Sequence, residues 1–168
     1  IDDHDVVTAG GVMAWIDLGL HLIRLWMGPA IVSRTCKHML IDPASREQRS
    51  YRSFRPPLGH GDDQIRSLQL WLESHLSTPL TVAQLATQAG MSTRSLQRRF
   101  HKVTGMALRS YLQALRIEKA KAMLETTSLP IAQICWNVGY QDVSAFSRLF
   151  VAQTGLTAGE YRKKFNVV

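Results

Sequence analysis

The sequence has few of the features that would indicate a membrane protein, a disulfide-bonded domain or a metalloprotein. Its two cysteines, Cys36 and Cys135, have no cysteine or histidine partner at zinc-ligand spacing, so neither a disulfide framework nor a metal site is predicted. The longest apolar stretch, residues 12–27, is interrupted by an aspartate, a histidine and an arginine, which excludes a membrane span. The acidic start of the chain also differs from a secretory signal, which opens with basic residues. We therefore expect a cytoplasmic protein with no cofactor, metal or membrane partner.

Acidic residues are scarce in one half of the chain. The whole sequence has 20 Lys and Arg against 13 Asp and Glu, a net charge of +7. Residues 1–78 hold 8 basic and 9 acidic residues, a net charge of −1, whereas residues 79–168 hold 12 and 4, a net charge of +8. Because a local excess of positive charge attracts phosphates, the second half is predicted to bind a polyanion.

Alternation of apolar and polar residues is also missing, so no strand is predicted in the second half of the chain. Helical spacing of apolar residues appears instead over residues 8–27, about 29–40 and 64–77, and then in a series of short capped segments. Prolines and glycines among charges interrupt this pattern before residue 64, which indicates a linker at residues 51–63. The predicted fold class is all-α, with residues 1–50 separate from residues 64–168.

An internal repeat organises the second half. Ala83, Gln84 and Gly90 recur 49 positions later as Ala132, Gln133 and Gly139. After a one-residue insertion the offset is 50, and the recurring pairs are Arg98 and Arg148, Phe100 and Phe150, Thr104 and Thr154, Gly105 and Gly155, and Tyr111 and Tyr161. Two similar helical units are predicted, with Gly90, Gly105, Gly139 and Gly155 at turns that need a positive φ.

Each unit has the pattern of a helix-turn-helix, whose second helix can lie in the major groove of DNA. The first covers about residues 81–101, the second about 130–152, and a helix over about 108–126 connects them. At 1.5 Å per residue that connector spans roughly 28 Å, close to the ~34 Å between successive major-groove faces. Two recognition helices could therefore be seated on one face of a duplex.

The outward faces of the two predicted recognition helices are the candidate DNA-binding sites. Arg can bond guanine O6 and N7 together, and Gln can do the same with adenine N6 and N7. The second helix is less basic, so weaker base reading is expected there. The candidate residues are Thr93, Arg94, Gln97 and Arg98 in the first helix, and Val143, Ser144, Ser147 and Arg148 in the second; no catalytic residue is predicted.

Other prominent side chains are assigned to the core or to the solvent. Six aromatic residues of this half are predicted to be core, where their burial supplies stability. Three basic residues of the connector, Arg116, Lys119 and Lys121, are predicted to be exposed. The predicted core aromatics are Phe100, Tyr111, Trp136, Phe146, Phe150 and Tyr161.

Residues 64–165 resemble the DNA-binding domain of the AraC/XylS class of bacterial transcription regulators. The resemblance is carried by the run from Ile131 through Gly139 and Gly155 to Tyr161-Arg162, with Arg116 in the connector. It implies two helix-turn-helix subdomains that bind double-stranded DNA, with the base contacts at the candidate residues named above except Thr93. It also implies RNA polymerase as a further partner.

The first fifty residues resemble the end of a PfpI-type, class I glutamine-amidotransferase-like sensor domain. The strings that carry the resemblance are VTAGGVMAWIDLGL at residues 7–20 and IDPASREQRSYRSF at residues 41–54. It implies that residues 1–50 are the helical remnant of an α/β sensor domain, whose larger part precedes this chain and would mediate any homodimer. The missing initiator methionine is in keeping with a fragment.

Two other function classes compete with a DNA-binding regulator. An amidase-like enzyme with a helical tail would need a nucleophile, a base and oxyanion donors in one site, and the first fifty residues are too short to supply them. A helical module that binds only proteins would leave the +8 charge of residues 79–168 unexplained. A sequence-specific DNA-binding regulator accounts for both the repeat and the charge.

Overall fold

The computed structural model describes residues 2–3, 6–7, 14–41 and 48–167. These residues divide into two compact units, an N-terminal unit over Ile1–Gln48 and a C-terminal unit over Arg49–Val168. The segment predicted as a linker, residues 51–63, thus lies in the C-terminal unit. No helix among the described ranges combines the length and the apolar character that crossing a membrane requires.

The described residues of the N-terminal unit form a two-stranded ribbon and two helices. Strands β1 (Asp2–Asp3) and β2 (Val6–Val7) pair antiparallel. Helix α1 (Ala14–Met27) and helix α2 (Pro29–Met39) are separated by Gly28, whose φ of 81° breaks the helix. The predicted turn at residues 8–11 lies outside the described residues.

All regular secondary structure among the described residues of the C-terminal unit is helical, which confirms the predicted fold class. A 3-10 turn at Gln48–Tyr51 leads into an extended segment and then into seven α-helices. These are α3 (Asp63–Ser74), α4 (Val82–Gln88), α5 (Thr93–Thr104), α6 (Leu108–Thr126), α7 (Ile131–Asn137), α8 (Val143–Thr154) and α9 (Ala158–Phe165).

Helix α3 ends three residues earlier than the sequence predicts. The Ser74 hydroxyl and the His75 ring both bond the carbonyl of Trp71, at 2.9 and 2.8 Å. The His75 ring also stacks on the Trp71 ring with 3.9 Å between centroids. Side chains that bond nearby backbone carbonyls compete with the helical ladder, so the helix ends at Ser74 rather than at Ser77.

Each helix-turn-helix has its own hydrophobic core, and the connector α6 contributes to both. Leu96 and Phe100 of α5 pack with Tyr111 of α6 in the first core. Phe146 and Phe150 of α8 pack with Ile117 and Ala120 of α6 in the second. One helix therefore joins the two cores, at the residues 108–126 that the sequence predicts.

Capping residues and glycines set the short helices of the repeat. Thr81 and Gln84 form a capping box at the start of α4, and Ser92 caps α5 through the backbone N–H of Ser95. The four glycines predicted to need a positive φ have values of 63°, 71°, 88° and 78° at Gly90, Gly105, Gly139 and Gly155. That prediction is confirmed.

Three side chains contradict the sequence predictions. Trp136 is 57% exposed rather than core, because Ile134 and Cys135 occupy the buried face of α7 and the next position turns about 100° away from it. Lys121 is 5% exposed, with its ammonium 2.6 Å from the carbonyl of Arg52. Arg116 is half-buried. The helical period predicts which residues lie outside the main apolar stripe of a helix. It does not predict which distant parts of the chain cover those residues.

The extended segment before α3 is fixed on the connector by that buried lysine and a neighbouring glutamate. Glu118 accepts hydrogen bonds from the Ser53 hydroxyl at 3.0 Å and from the backbone N–H of Phe54 at 3.1 Å. Lys121 lies 3.1 Å from Glu118, and Phe54 packs against the first core. Residues 52–54 are therefore held against the connector α6 by hydrogen bonds to Glu118 and Lys121.

Candidate nucleic-acid interface

The first recognition helix, α5, presents a continuous polar face to solvent. Thr93, Arg94, Gln97 and Arg98 are all exposed, and their spacing places them on one side of the helix, about 140° wide. The neighbouring side of the helix carries Leu96 and Phe100, both at 0% exposure. The burial of the apolar side thus orients the four candidate residues outward, as the sequence predicts.

Arg99, the one remaining arginine of α5, has a different role that sequence reasoning missed. Its guanidinium bonds both carboxylate oxygens of Asp62, at 2.8 and 3.0 Å, and the amide oxygen of Gln64 at 2.7 Å. Bidentate arginine–carboxylate pairs fix geometry as well as adding energy. Arg99 therefore attaches the recognition helix to the start of α3 and is not available as an outward-facing group.

Asp62 is also the N-cap of α3, so the same carboxylate holds two helices. It accepts the backbone N–H of Ile65 at 3.2 Å in addition to the guanidinium of Arg99. Partial burial acts to raise the pKa of Asp62, but the bond from Ile65 and the charge and bonds of Arg99 outweigh it and lower the pKa below its ordinary value of 3.8. The ionised carboxylate is the form that keeps α3 and α5 together.

The second recognition helix, α8, presents fewer polar groups. Ser144 and Arg148 are exposed, whereas Val143 and Ser147 are half-buried. Val143 packs against the second core, and the hydroxyl of Ser147 bonds the carbonyl of Val143 at 2.8 Å. Arg148 is the one basic residue of α8, so this helix offers one charged group where α5 offers two outward-facing arginines.

Gln69 of α3 is the centre of a buried polar cluster, in which its side-chain amide is fully hydrogen-bonded to neighbouring protein groups. Gln69, at 0% exposure, donates to the hydroxyl of Tyr111 at 3.0 Å and to the carbonyl of Pro57 at 3.1 Å. Its amide oxygen lies 2.8 Å from the His60 ring. Burial raises the pKa of Tyr111 to about 12, so the phenol stays neutral. These contacts identify the cluster as structural.

The described part of the chain holds no group of three or more His, Cys, Asp or Glu side chains arranged to bind a metal ion. Cys36 and Cys135 are both buried, and burial raises the pKa of the Cys135 thiol. A buried thiol with a raised pKa is a poor nucleophile. The exposed polar faces of α5 and α8 are therefore the best candidate site.

Comparison with known proteins supports this choice. A helix-turn-helix domain family model matches residues 85–164. The right origin-binding protein of Escherichia coli K12 is 38% identical over 99 residues, which are 59% of this chain and 34% of that protein. The regulatory protein SoxS of the same organism is 35% identical over 100 residues, which are 60% of this chain and 94% of SoxS. The chain therefore matches about a third of the first relative and nearly all of the second.

Solved structures also resemble this chain over about two thirds of its length. An AraC-type DNA-binding-domain protein from Chromobacterium violaceum has a TM-score of 0.58 at 26% identity, covering 61% of this chain and 91% of the other. The DNA-binding domain of the transcriptional factor AdpA, solved in complex with a target DNA, has a TM-score of 0.58 at 28% identity, covering 66% and 94%. Both structures are DNA-binding proteins by their descriptions, and each is matched over more than nine-tenths of its own length.

Proposed function

This chain belongs to the AraC family of helix-turn-helix regulators, and we propose that it controls transcription by binding a preferred sequence of double-stranded DNA. The observation that carries the proposal is the outward face of α5, where two arginines and a glutamine are exposed on a helix held by its own core. Such a face can enter a major groove and bond base edges.

In this proposal α5 supplies most of the base reading. Arg94 and Arg98 can each bond guanine O6 and N7 in bidentate fashion, and Gln97 can bond adenine N6 and N7. Thr93, in the first turn of α5, can contact either a base edge or a phosphate. The solved DNA complex of AdpA, a structural neighbour at 28% identity, supports the use of this fold on DNA.

Helix α8 supplies a second, weaker contact. Arg148 occupies the position equivalent to Arg98 in the repeat and is exposed. Ser144 can bond a base edge beside it, while Val143 and Ser147 contribute mainly through apolar contact and helix geometry because they are half-buried. The two helices together would read two adjacent segments of one duplex face.

The charge of this half of the chain supplies sequence-independent affinity. Residues 79–168 carry 12 basic and 4 acidic residues, a net charge of +8. Each phosphate that they neutralise releases counterions, so the logarithm of the binding constant falls by about 0.9 per tenfold rise in salt for each phosphate. Binding by this chain is therefore expected to weaken steeply with salt.

Four finer assignments belong to the same proposal. Residues 1–50 are proposed to be the end of an amidotransferase-like sensor domain, on the strength of the strings at residues 7–20 and 41–54. Homodimer contacts are assigned to the larger part of that sensor, and RNA polymerase is assigned as a partner on family grounds. A cytoplasmic location follows from a regulator of this class.

The test is selection of preferred duplexes from a random pool at two salt concentrations, using the whole chain. We expect one enriched sequence at both concentrations, and a steep loss of total binding at the higher one. The double variant Arg94→Ala with Arg98→Ala should lose the enriched sequence while Arg34→Ala, which removes an exposed charge from α2, should keep it. Absence of enrichment for the unaltered chain would contradict the proposal.

A further inference from the structure

The turn of the second helix-turn-helix packs directly against the loop that precedes the first. Gly139 has a φ of 88°, and a Cβ atom built on it would lie 2.2 Å from the carbonyl oxygen of Leu76. Leu76 lies just after α3, in the loop that leads to α4. The two helix-turn-helix subdomains thus meet here as well as being joined through the connector α6.

Arg116 of the connector ties this contact together. Its Nε donates to the carbonyl of Leu76 at 3.1 Å and its terminal nitrogen to the carbonyl of Thr78 at 3.0 Å. The guanidinium carbon also lies 5.4 Å from the ring centroid of Tyr140, within the range of a cation–π interaction. A single side chain therefore touches the loop of the first subdomain and the turn of the second.

The corresponding turn in the first subdomain makes no such contact. A Cβ atom built on Gly90 would meet nothing within 4 Å. Met91 and Tyr140 are equivalent by backbone bonding, because their N–H groups bond the carbonyls of Ala86 and Cys135, residues that correspond in the repeat. The close approach is thus a property of the second turn and not of the repeated fold.

A second attachment changes how the two recognition helices can move. Two subdomains joined by one helix can rotate relative to each other wherever that helix bends or frays at its ends. Arg116 contacts Leu76 and Thr78 of the first subdomain and Tyr140 of the second, so the two subdomains are attached at a second place besides the covalent path of the connector. This second attachment opposes their relative rotation.

We propose that Arg116, packed on Gly139 and Tyr140, is a positioning residue that fixes the distance and angle between α5 and α8, and so sets the spacing between the two DNA segments that the chain accepts. The inference rests on the proposed DNA-binding function. It assigns spacing selectivity to a residue of the connector, which belongs to neither recognition helix.

The test measures binding to spacer variants of the duplex selected from the random pool. Adding one base pair between the two segments moves them apart by about 3.4 Å and rotates them by about 35°. For the unaltered chain, loss of base contacts by one helix should weaken binding about tenfold or more. Arg116→Ala should reduce that spacer penalty to within about threefold while keeping the preference for each separate segment.

Three further variants separate the positioning role from charge and from folding. Lys119→Ala removes the same charge from an exposed position of the same helix and should keep the tenfold penalty. Arg116→Lys keeps the charge but loses the planar fork that bonds two carbonyls at once, so it should relax the spacing as Arg116→Ala does. Tyr140→Leu removes the ring under the guanidinium and should relax it partly. Circular dichroism checks that each variant is helical.

The outcomes distinguish the two levels of the proposal. If the unaltered chain prefers one duplex but Arg116→Ala, Arg116→Lys and Tyr140→Leu all keep the spacer penalty of Lys119→Ala, the positioning role is overturned and DNA binding stands. If Arg116→Ala does not fold, Arg116→Lys and Tyr140→Leu decide between the same two results. If the unaltered chain prefers no duplex at all, the proposed function itself fails and the inference fails with it.

Discussion

The two helix-turn-helix subdomains share a backbone plan but differ in which surface is charged and which is anchored. In the first, α5 presents Arg94 and Arg98 outward and is held to α3 by Arg99, which bonds Asp62. In the second, the position of Arg99 is taken by Leu149, which packs against an apolar core. If α5 and α8 bind DNA as proposed, the first subdomain supplies more charged contacts to bases, whereas the second is held by more apolar packing.

The turns of the two subdomains also differ in how closely they are packed against other residues. In the first turn, the Cα of Gly90 faces open space. In the second turn, the Cα of Gly139 faces the carbonyl of Leu76 and the guanidinium of Arg116. The positive φ values of 63° and 88° are a shared backbone requirement. The close contact at Gly139 is an additional constraint that the first turn lacks.

The largest expected effect is the loss of unfolding free energy on replacing Gly139, which should exceed the loss on replacing Gly90. Gly90→Ala should cost about 1–2 kcal/mol of unfolding free energy, the usual cost of a left-handed conformation for a residue with a Cβ. Gly139→Ala should cost more, about 3 kcal/mol or above, because the new methyl group also overlaps a backbone oxygen that must shift. Urea unfolding followed by circular dichroism measures both, and equal losses for the two variants would show that the contact at Gly139 is unimportant.

A smaller effect separates the two recognition helices. Arg98→Ala should weaken binding to the selected duplex by about 1–3 kcal/mol and relax one base position, as loss of a bidentate guanine contact does. Arg148→Ala should cost less, since its neighbours Val143 and Ser147 are half-buried and offer less base reading. Fluorescence anisotropy titrations with selected and random duplexes measure both. A loss by Arg98→Ala that is equal on the two duplexes would reassign Arg98 to phosphate contact.

The smallest effect concerns the ion pair that only the first subdomain has. Since the pKa of Asp62 is lowered from 3.8 in the folded chain, its stabilising contribution is present above that value and is lost as the pH falls through the folded pKa. Asp62→Asn, which keeps a capping side chain, should cost about 0.5–1 kcal/mol at pH 7, because Arg99 is 37% exposed and solvent screens the pair. The difference from the unaltered chain should shrink as the pH falls below 3.8 and through the lowered pKa of the folded state.

Thermal unfolding of both proteins between pH 7 and pH 3 measures that difference. Asp63→Asn is the matched control, since it removes a carboxylate from the next, exposed position of α3. A difference for Asp62→Asn that stays constant as the pH falls would show that the carboxylate charge does not hold the two helices together.

Much of the fold could be predicted because its signals are local. Caps at Thr81 and Ser92, positive-φ glycines and the period of apolar residues in α5 and α8 each involve residues a few positions apart. The connector was predicted with the bounds that the structure has, Leu108–Thr126. The outward face of α5 follows from the same periodicity, since Leu96 and Phe100 determine which side is buried.

The unpredicted features depend on partners that lie far away in the sequence. Arg99 bonds a carboxylate 37 positions earlier, and Arg116 bonds a carbonyl 40 positions earlier. Neither a helical period nor a repeat indicates such a partner, so the sequence predicts an exposed Arg116 and no role for Arg99. Trp136 was assigned to the core by its residue type, although its position in α7 places it outside the buried stripe.

The most direct test of the account replaces each base pair of the selected duplex in turn and measures binding by the unaltered chain, by Arg98→Ala and by Arg148→Ala. The account predicts two clusters of sensitive base pairs whose centres lie about one helical turn, roughly 10 base pairs, apart. Arg98→Ala should remove sensitivity at a position in one cluster, and Arg148→Ala at a position in the other. A single cluster, or two clusters that the variants leave unchanged, would contradict the claim that α5 and α8 read DNA side by side.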